Sequence, residues 1–352
     1  MNALLIYGYS PGTTAWYLER AFQPTHGVLY AGPPAAGRTG GLADADLSDL
    51  LPALEKRPDL ILYVDSPGFC FPRGMERMEI PTACYLIDVY RHLPYYLNVA
   101  ALFDYTFAAQ KDYLGQFLRV NPNSFWLPVA CDPEIHRQRP VERTLEVGFV
   151  GHMIPSRRAV LDRLSSRFMM NPYATPVPFE EITGIYSRSK IVVNLPVHGD
   201  LNMRVFEAMA CGSLVVTQEI QNGQRELFRD REHLVTYRRT DELETLIDYY
   251  LKHDDERRRI AAAGQALTLA SHTYRHRAQA LLESIGESRL CAPARSQTKG
   301  EVSARYARIY SNKGMLLSAW KALVKVPPFE ALSMGAYAHF AKALWNRMFG
   351  GG

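Results

Sequence analysis

Asn202–Thr217 reads NMRVFEAMACGSLVVT and decides how the rest of the chain is read. Glu207 lies among good helix formers, and the helix runs into small residues at Ala210, Cys211 and Gly212. The β-branched run Leu214–Thr217 follows at once as a strand. Helix, tight turn and strand in succession form one unit of a wound sheet. The layout puts a carboxylate at the mouth of that sheet, close to a helix N-terminus that can hold phosphate.

The same alternation extends in both directions. Downstream, Leu234–Thr236 reads as a strand, and Asp241–Lys252 and Asp254–Leu269 as amphipathic helices; a last helix runs from His272 to about Ile285. Upstream, strands are expected at Ile191–Leu195 and Leu145–Val150, with helices at Phe179–Arg188 and Arg157–Phe168. Before Arg143 comes a first series. Its strands are Ala3–Tyr7, Val28–Tyr30, Leu60–Val64, Thr82–Ile87, Asp104–Ala108 and Ser124–Leu127. Its helices are Ala15–Phe22, capped by Thr13 or Thr14, and Leu47–Leu54. The expected class is therefore α/β, with two doubly wound, Rossmann-like domains whose strand ends face a cleft. The expected division is residues 1–140, 141–271, a helix at 272–288 and a tail at 289–352, with a linker near 133–144. Within the tail, Cys291–Gly300 reads as loop, and Met315–Val326 and Ala331–Phe349 as helices split by Pro327-Pro328.

Composition narrows the class. The chain of 352 residues is 47% hydrophobic and 22% charged, as in a globular protein. No apolar run reaches the roughly 18 residues that span a bilayer, and the N-terminus MNALLIYGYS reads as a first strand rather than a signal peptide. Cys70, Cys84, Cys131, Cys211 and Cys291 are scattered, with no C-x-x-C pair, which fits reduced thiols in a cytoplasmic protein. The net charge of +4 is uneven. Residues 289–352 carry ten Lys/Arg and two Asp/Glu, so +8, which leaves 4 − 8 = −4 for the body. A basic tail can meet a membrane surface or a second subunit. Trp320, Leu323, Phe340, Leu344, Trp345 and Phe349 beside Lys313, Lys321, Lys325, Lys342 and Arg347 fit either an interfacial helix or helices packed against the body or a second subunit. Nucleic acid is not the expected partner.

Several residues could carry chemistry. An ionised Glu207 can accept two hydrogen bonds from the vicinal hydroxyls of a ribose, each contributing about 1.5–3 kcal/mol. Arg204 offers a fixed fork to a diphosphate, with Asn202 beside it. Asn194 and His198 sit at or just past a strand end, where a donor sugar would lie. Gly151 lets backbone approach a ligand, and Arg157 or Arg158 opens the next helix, where the dipole favours an anion. In the first domain, Gly8, Ser10, Gly12 and Thr13 form a glycine-bearing loop at a helix start that is neither a P-loop nor G-x-G-x-x-G. Asp88 and His92, at a strand end in YLIDVYRHL, could take a proton from an acceptor hydroxyl, and Asp65 stands in a similar place. Asp44-Ala45-Asp46 matches D-x-D but reads as a helix start, and no Cys/His cluster suggests zinc, so no metal is expected.

The segment F-E-A-M-A-C-G at 206–212, with FVGHMIPSR, FWLPVACDP and HTYRHR, resembles the donor-nucleotide half of GT-B glycosyltransferases, most closely their CgeB-like, spore-maturation-type branch, related to the GT4-type retaining enzymes. The resemblance covers roughly Met1–Ile285. It implies a glycosyltransferase that takes a nucleotide-diphosphate sugar as donor without a metal or other cofactor. Glu207 would hold the ribose. The diphosphate would be held by Arg204, by Arg157 or Arg158, and by helix N-termini, with Gly212 in the donor-site turn. The acceptor is a glycan, a protein or a small molecule. Retaining relatives carry E-x7-E, whereas Gly199 stands eight residues before Glu207. That departure leaves retention and inversion open. It also keeps two other readings in view: a catalytically degenerate binding module with the tail at a membrane, and an epimerase or phosphorylase on the same fold.

Overall fold

The computed structural model describes residues 1–35, 38, 45–288, 297–324 and 331–349. It divides into two compact units. Unit 1 comprises Met1–Ala109, Tyr113–Leu127 and Leu281–Gly352, and unit 2 comprises Gln110–Asp112 and Pro128–Ala280.

Unit 1 is built on β1 (Asn2–Ile6), α1 (Thr14–Phe22), β2 (Gly27–Ala31), α2 (Leu47–Leu50), β3 (Leu60–Val64), β4 (Thr82–Leu86), α3 (Leu93–Ala100), β5 (Tyr105–Ala108), α4 (Leu114–Leu118) and β6 (Ser124–Trp126). The six strands are parallel, in the order β2-β1-β3-β4-β5-β6. Their continuous apolar runs fit strands covered on both faces, and β3 and β4 are buried at every residue. The order reverses between β1 and β3, so the strand ends near Gly8 and Asp65 lie at a topological switch point. The α1 cap is Thr13, whose hydroxyl accepts from the Trp16 amide.

Unit 2 contains β7 (Leu145–Gly148), α5 (Pro155–Ser165), α6 (Phe179–Arg188), β8 (Ser189–Asn194), α7 (Met203–Ala210), β9 (Leu214–Gln218), α8 (Gln224–Leu227), β10 (Val235–Tyr237), α9 (Leu243–Lys252), α10 (Asp254–Ser271) and the start of α11 (Tyr274–Ser288). Its sheet is parallel in the order β10-β9-β8-β7. Alternate residues divide the two faces. Ile191, Val193, Leu214 and Val216 pack with α5 and α9 through Leu161, Leu164, Leu243 and Ile247. The other face carries α6, α7 and α10. Residues 133–144, where composition suggested a linker, are packed within unit 2. Arg143 there donates to the carbonyls of Ser189, Cys211 and Gly212.

Three more helices, α12 (Lys299–Asn312), α13 (Leu316–Leu323) and α14 (Ala331–Phe349), belong to unit 1. The sequence reading found α13 and α14 but no helix at α12. Ala304, Tyr306, Ala307, Ile309, Tyr310, Ala319 and Leu323 join the core of β1, β3 and β4. The Tyr306 hydroxyl accepts from the Gly74 and Met75 amides and donates to Glu76, while Tyr310 donates to the Phe71 carbonyl. Leu323 is fully buried in this core, so for that residue packing against the body replaces the interfacial reading. Asp44, Cys291, Lys325, Pro327 and Pro328 lie outside the described residues, as does the Phe349 side chain.

Candidate functional site

In unit 2, the C-terminal edge of the sheet is organised by Asn194 at the end of β8. Its amide nitrogen donates to Thr217 Oγ1 at 2.9 Å, across the register pair Asn194–Thr217. Its Oδ1 accepts from Asn202 at 3.1 Å and from Arg204 Nη1 at 2.6 Å, and its carbonyl accepts from the Tyr237 hydroxyl. Asn194 is fully buried and holds this edge together. It is not placed to meet a sugar, as the sequence reading had it.

Arg204 enters from the first turn of α7 and is only 8% exposed. Besides Asn194 it donates to the Val150 carbonyl, and its guanidinium lies 4.5 Å from the centre of the Phe149 ring. Among the described residues no carboxylate pairs with it. Burial pushes its pKa down, and Tyr186 and Glu207 nearby partly offset this. Arginine stays charged in proteins, so a buried cation here sits among neutral acceptors. Gly151 is required by this arrangement, since a Cβ there would overlap the Arg204 guanidinium. Arg157 reaches the same ring, 5.9 Å from Phe149, and donates to the carbonyls of Leu195 and His152. Arg158 is exposed, with no contact to this cluster. Consecutive helical residues point about 100° apart, so only one of the pair can face Phe149.

Asn202 is the α7 N-cap but makes no capping side-chain bond, and its Oδ1 is buried without a hydrogen-bond partner. A buried acceptor left open asks for a donor from a ligand. Glu207, one turn after Arg204, is also 8% exposed. Its Oε1 faces His136 Nε2 at 3.5 Å. His136 Nδ1 accepts from the Asp132 amide, so the neutral ring carries its proton on Nε2, toward Glu207. Burial pushes the His136 pKa down, against the pull of Glu207 and Asp132. His136 and Phe149 were missed in the sequence. Phe149 looked like one more apolar strand residue, and nothing local links His136 to α7.

Gly212 belongs elsewhere. It follows α7 with φ 75°, its amide bonds Met209, and the Ser213 amide bonds Ala208. This is a Schellman end. It stands at the opposite end of an eight-residue helix, about 15 Å along the axis from Asn202. The donor-binding role expected for Gly212 is thus replaced by a structural one. His198 and Gly199 take successive left-handed conformations, φ 53° and 67°, in the exposed turn before α7.

In unit 1 the candidate residues sit at the ends of β1, β3 and β4. Gly8 donates to Ser66 Oγ at 2.8 Å, and a Cβ there would overlap the Pro67 carbonyl. Ser10 and Thr13 bond each other in the α1 cap, with Gly12 at φ 79° between them. The loop therefore shapes the strand end. Asp88 is left-handed, φ 52°, and lies 3.5 Å from Arg91; burial raises its pKa. His92 Nδ1 accepts from the Tyr95 amide and caps α3, which leaves Nε2 for any proton transfer. Asp65 has the stronger setting. It accepts from the Tyr96 hydroxyl at 2.8 Å, and burial pushes its pKa up to about 6, against Tyr96 and Lys313. Lys313, from the end of α12, lies 4.8 Å from the Tyr95 ring. Asp46, second acid of the D-x-D match, caps α2 and is held by Arg77 at 2.7 Å.

Residues 152–283 match the family model described as glycosyl transferase-like, just over a third of the chain. They form a glycosyltransferase-like domain. The chain also resembles solved structures over 82–83% of its length. Anabaena HepE in complex with UDP-glucose superposes with TM-score 0.60 at 13% identity, over 82% of this chain and 100% of that one. A glycosyltransferase from Rickettsia africae gives 0.60 at 10%, over 83% and 99%. Sucrose-phosphate synthase from Thermosynechococcus elongatus gives 0.57 at 12%, over 83% and 100%. The fold is that of GT-B glycosyltransferases. No curated protein matches the chain in sequence.

Proposed function

We propose that this chain transfers a sugar from a nucleoside-diphosphate sugar to an acceptor hydroxyl. The observation that carries this is Arg204, a buried guanidinium without a carboxylate partner, at the start of α7 and beside the stacked Arg157. A diphosphate supplies the missing anion. The two arginines and the first-turn amides of α7 then stabilise the leaving diphosphate as the anomeric C–O bond breaks, the task a metal performs in other architectures. Glu207, oriented by His136, accepts hydrogen bonds from the ribose hydroxyls. The open Oδ1 of Asn202 takes one from a hydroxyl of the donor sugar. In unit 1, Asp65, which accepts from the Tyr96 hydroxyl and whose pKa burial raises, is a group that can take a proton from an acceptor hydroxyl. The N-x-R-x-F-E pattern at 202–207 supports the CgeB-like branch, and the buried free thiols Cys70, Cys84, Cys131 and Cys211 support a cytoplasmic location.

A thermal-shift screen of nucleoside diphosphates and their sugars tests the donor half, since a ligand bound only by the native state raises the melting temperature. Product analysis with the best donor and acceptor extracts tests the rest. Donor binding with no turnover, with or without acceptor, would favour a binding module, the reading that Gly199 in place of the usual acid supports.

A further inference from the structure

One surface has no part in donor chemistry. Helix α13 buries Ser318, Ala319, Ala322 and Leu323 in unit 1. Its outward stripe is apolar as well: Leu317, Trp320 and Val324 are 67%, 48% and 57% exposed, with Lys321 among them. The spacing i, i+3, i+4, i+7 makes this one helical face. Helix α14 extends it. The Trp320 ring lies 5.8 Å from that of Phe340, and Trp345 and Met348 are 61% and 59% exposed. Five of the eleven large hydrophobics exposed among the described residues fall between 317 and 348, so this is a patch rather than scatter.

The charge around the patch has one sign. Lys321, Lys342 and Arg347 are exposed, and neither α13 nor α14 contains an acid. From 302 to 352 there are seven Lys/Arg against the single acid Glu330. Exposed tryptophans interleaved with cations, and no anion, match a surface that is apolar below and negative above. No described helix is long and apolar enough to cross a bilayer. We propose that the α13–α14 face docks flat on an anionic lipid bilayer, with Trp320, Trp345, Leu317 and Val324 entering the headgroup region and Lys321, Lys342 and Arg347 meeting lipid phosphates. The proposal stands apart from the sugar-transfer reading and survives its failure.

The test is co-sedimentation of the full chain with phosphatidylcholine vesicles, with and without one quarter phosphatidylglycerol. Deleting α12–α14 is unsuitable, because Tyr306, Tyr310 and Leu323 belong to the unit 1 core. The charge variant K321Q/K342Q/R347Q and the apolar variant L317Q/W320Q/V324Q/W345Q alter exposed side chains, so both should melt within a few degrees of wild type. Wild type should partition onto anionic vesicles. The charge variant should lose affinity on the order of 100-fold, and the apolar variant should lose binding at any salt concentration. Equal partition onto neutral vesicles, no partition of wild type, or an apolar variant that still binds would each overturn the proposal. So would a wild-type dimer in sedimentation velocity that the apolar variant converts to monomer while vesicles fail to compete.

Discussion

Replacing Arg204 by Met should cost donor binding heavily and stability hardly at all. In the folded protein the guanidinium gains two charge-assisted bonds, to Asn194 Oδ1 and the Val150 carbonyl, and a ring contact with Phe149. At about 1.5–3 kcal/mol per bond and about 0.5–2 for the ring, these contribute roughly 4–8 kcal/mol. Burying the charge without a counter-ion costs several kcal/mol in return. The two nearly cancel, and Met keeps most of the packing volume against Phe149. The melting temperature of R204M should therefore stay within about 4 °C of wild type, or rise. A bound diphosphate changes the balance, because it adds two charge-assisted bonds at a desolvation cost already met in the free protein. Losing about 3–6 kcal/mol weakens binding by roughly 100-fold to 10,000-fold. The assay is calorimetric titration with the nucleoside diphosphate that stabilises wild type most, alongside thermal unfolding of both proteins. An R204M that binds within threefold of wild type refutes the anion-site reasoning. One that unfolds by more than 10 °C shows that Arg204 is a structural cation instead.

Glu207→Ala should weaken nucleoside-diphosphate binding by about 10-fold to 100-fold and abolish discrimination against the 2′-deoxyribonucleotide; equal discrimination in mutant and wild type would remove Glu207 from the ribose. Gly212→Ala places a Cβ 2.6 Å from Gln138 Oε1 and 2.9 Å from Arg143 Nη2 at φ 75°, so it should lose about 1–3 kcal/mol in urea unfolding with unchanged nucleotide affinity. Gly151→Ala should do the reverse, displacing the Arg204 guanidinium and weakening the diphosphate at least 10-fold in the same titration. Asp65 has a folded pKa raised to about 6, so the folded state holds more protons than the unfolded one between about pH 4 and 6, and its contribution to stability falls as pH rises through that window. Asp65→Asn should accordingly gain about 1–3 kcal/mol at pH 7.5 and nothing near pH 4, while donor-plus-acceptor turnover drops; equal gains at both pH values would deny the raised pKa.

What was legible in the sequence was local. The bounds of β3 and α6 follow from a five-residue apolar run and an acid-led amphipathic stretch, and the structure reproduces both. Arg204 and Glu207 could be paired because three residues on a helix make one face. Helix α12 went unseen because its packing face is built mostly from Ala304, Ala307, Tyr306 and Tyr310, with Ile309 the one fully buried large aliphatic, and it follows a loop-like stretch. His136 approaches Glu207 only through tertiary packing. The choice between Arg157 and Arg158 needed the direction of Phe149, a property of the folded β7–α5 turn. Asp65 and Asp88 looked alike as strand-end acids, and only the Tyr96 hydroxyl and the burial around β3 set them apart.

Helix α7 explains how one short motif can look uniformly functional yet divide its labour. Its first turn presents Asn202 and Arg204, with an open acceptor and an unpaired cation, at the C-terminal edge of the sheet. Its last turn ends in the Gly212 Schellman motif, whose released carbonyls at Cys211 and Gly212 are closed by Arg143. Arg143 is itself held at a lowered pKa by burial and by Arg257. A guanidinium thus stands at each end of the helix, with opposite consequences. At the C-terminus it meets the negative end of the dipole and is satisfied by carbonyls. At the N-terminus Arg204 adds to a positive end, which is unfavourable for the empty protein and favourable once a diphosphate is bound. Placing like charges together in this way favours an anion at the N-terminal end of α7, which supports the proposed diphosphate site at Asn202 and Arg204 and leaves the Gly212 end of the motif to the fold.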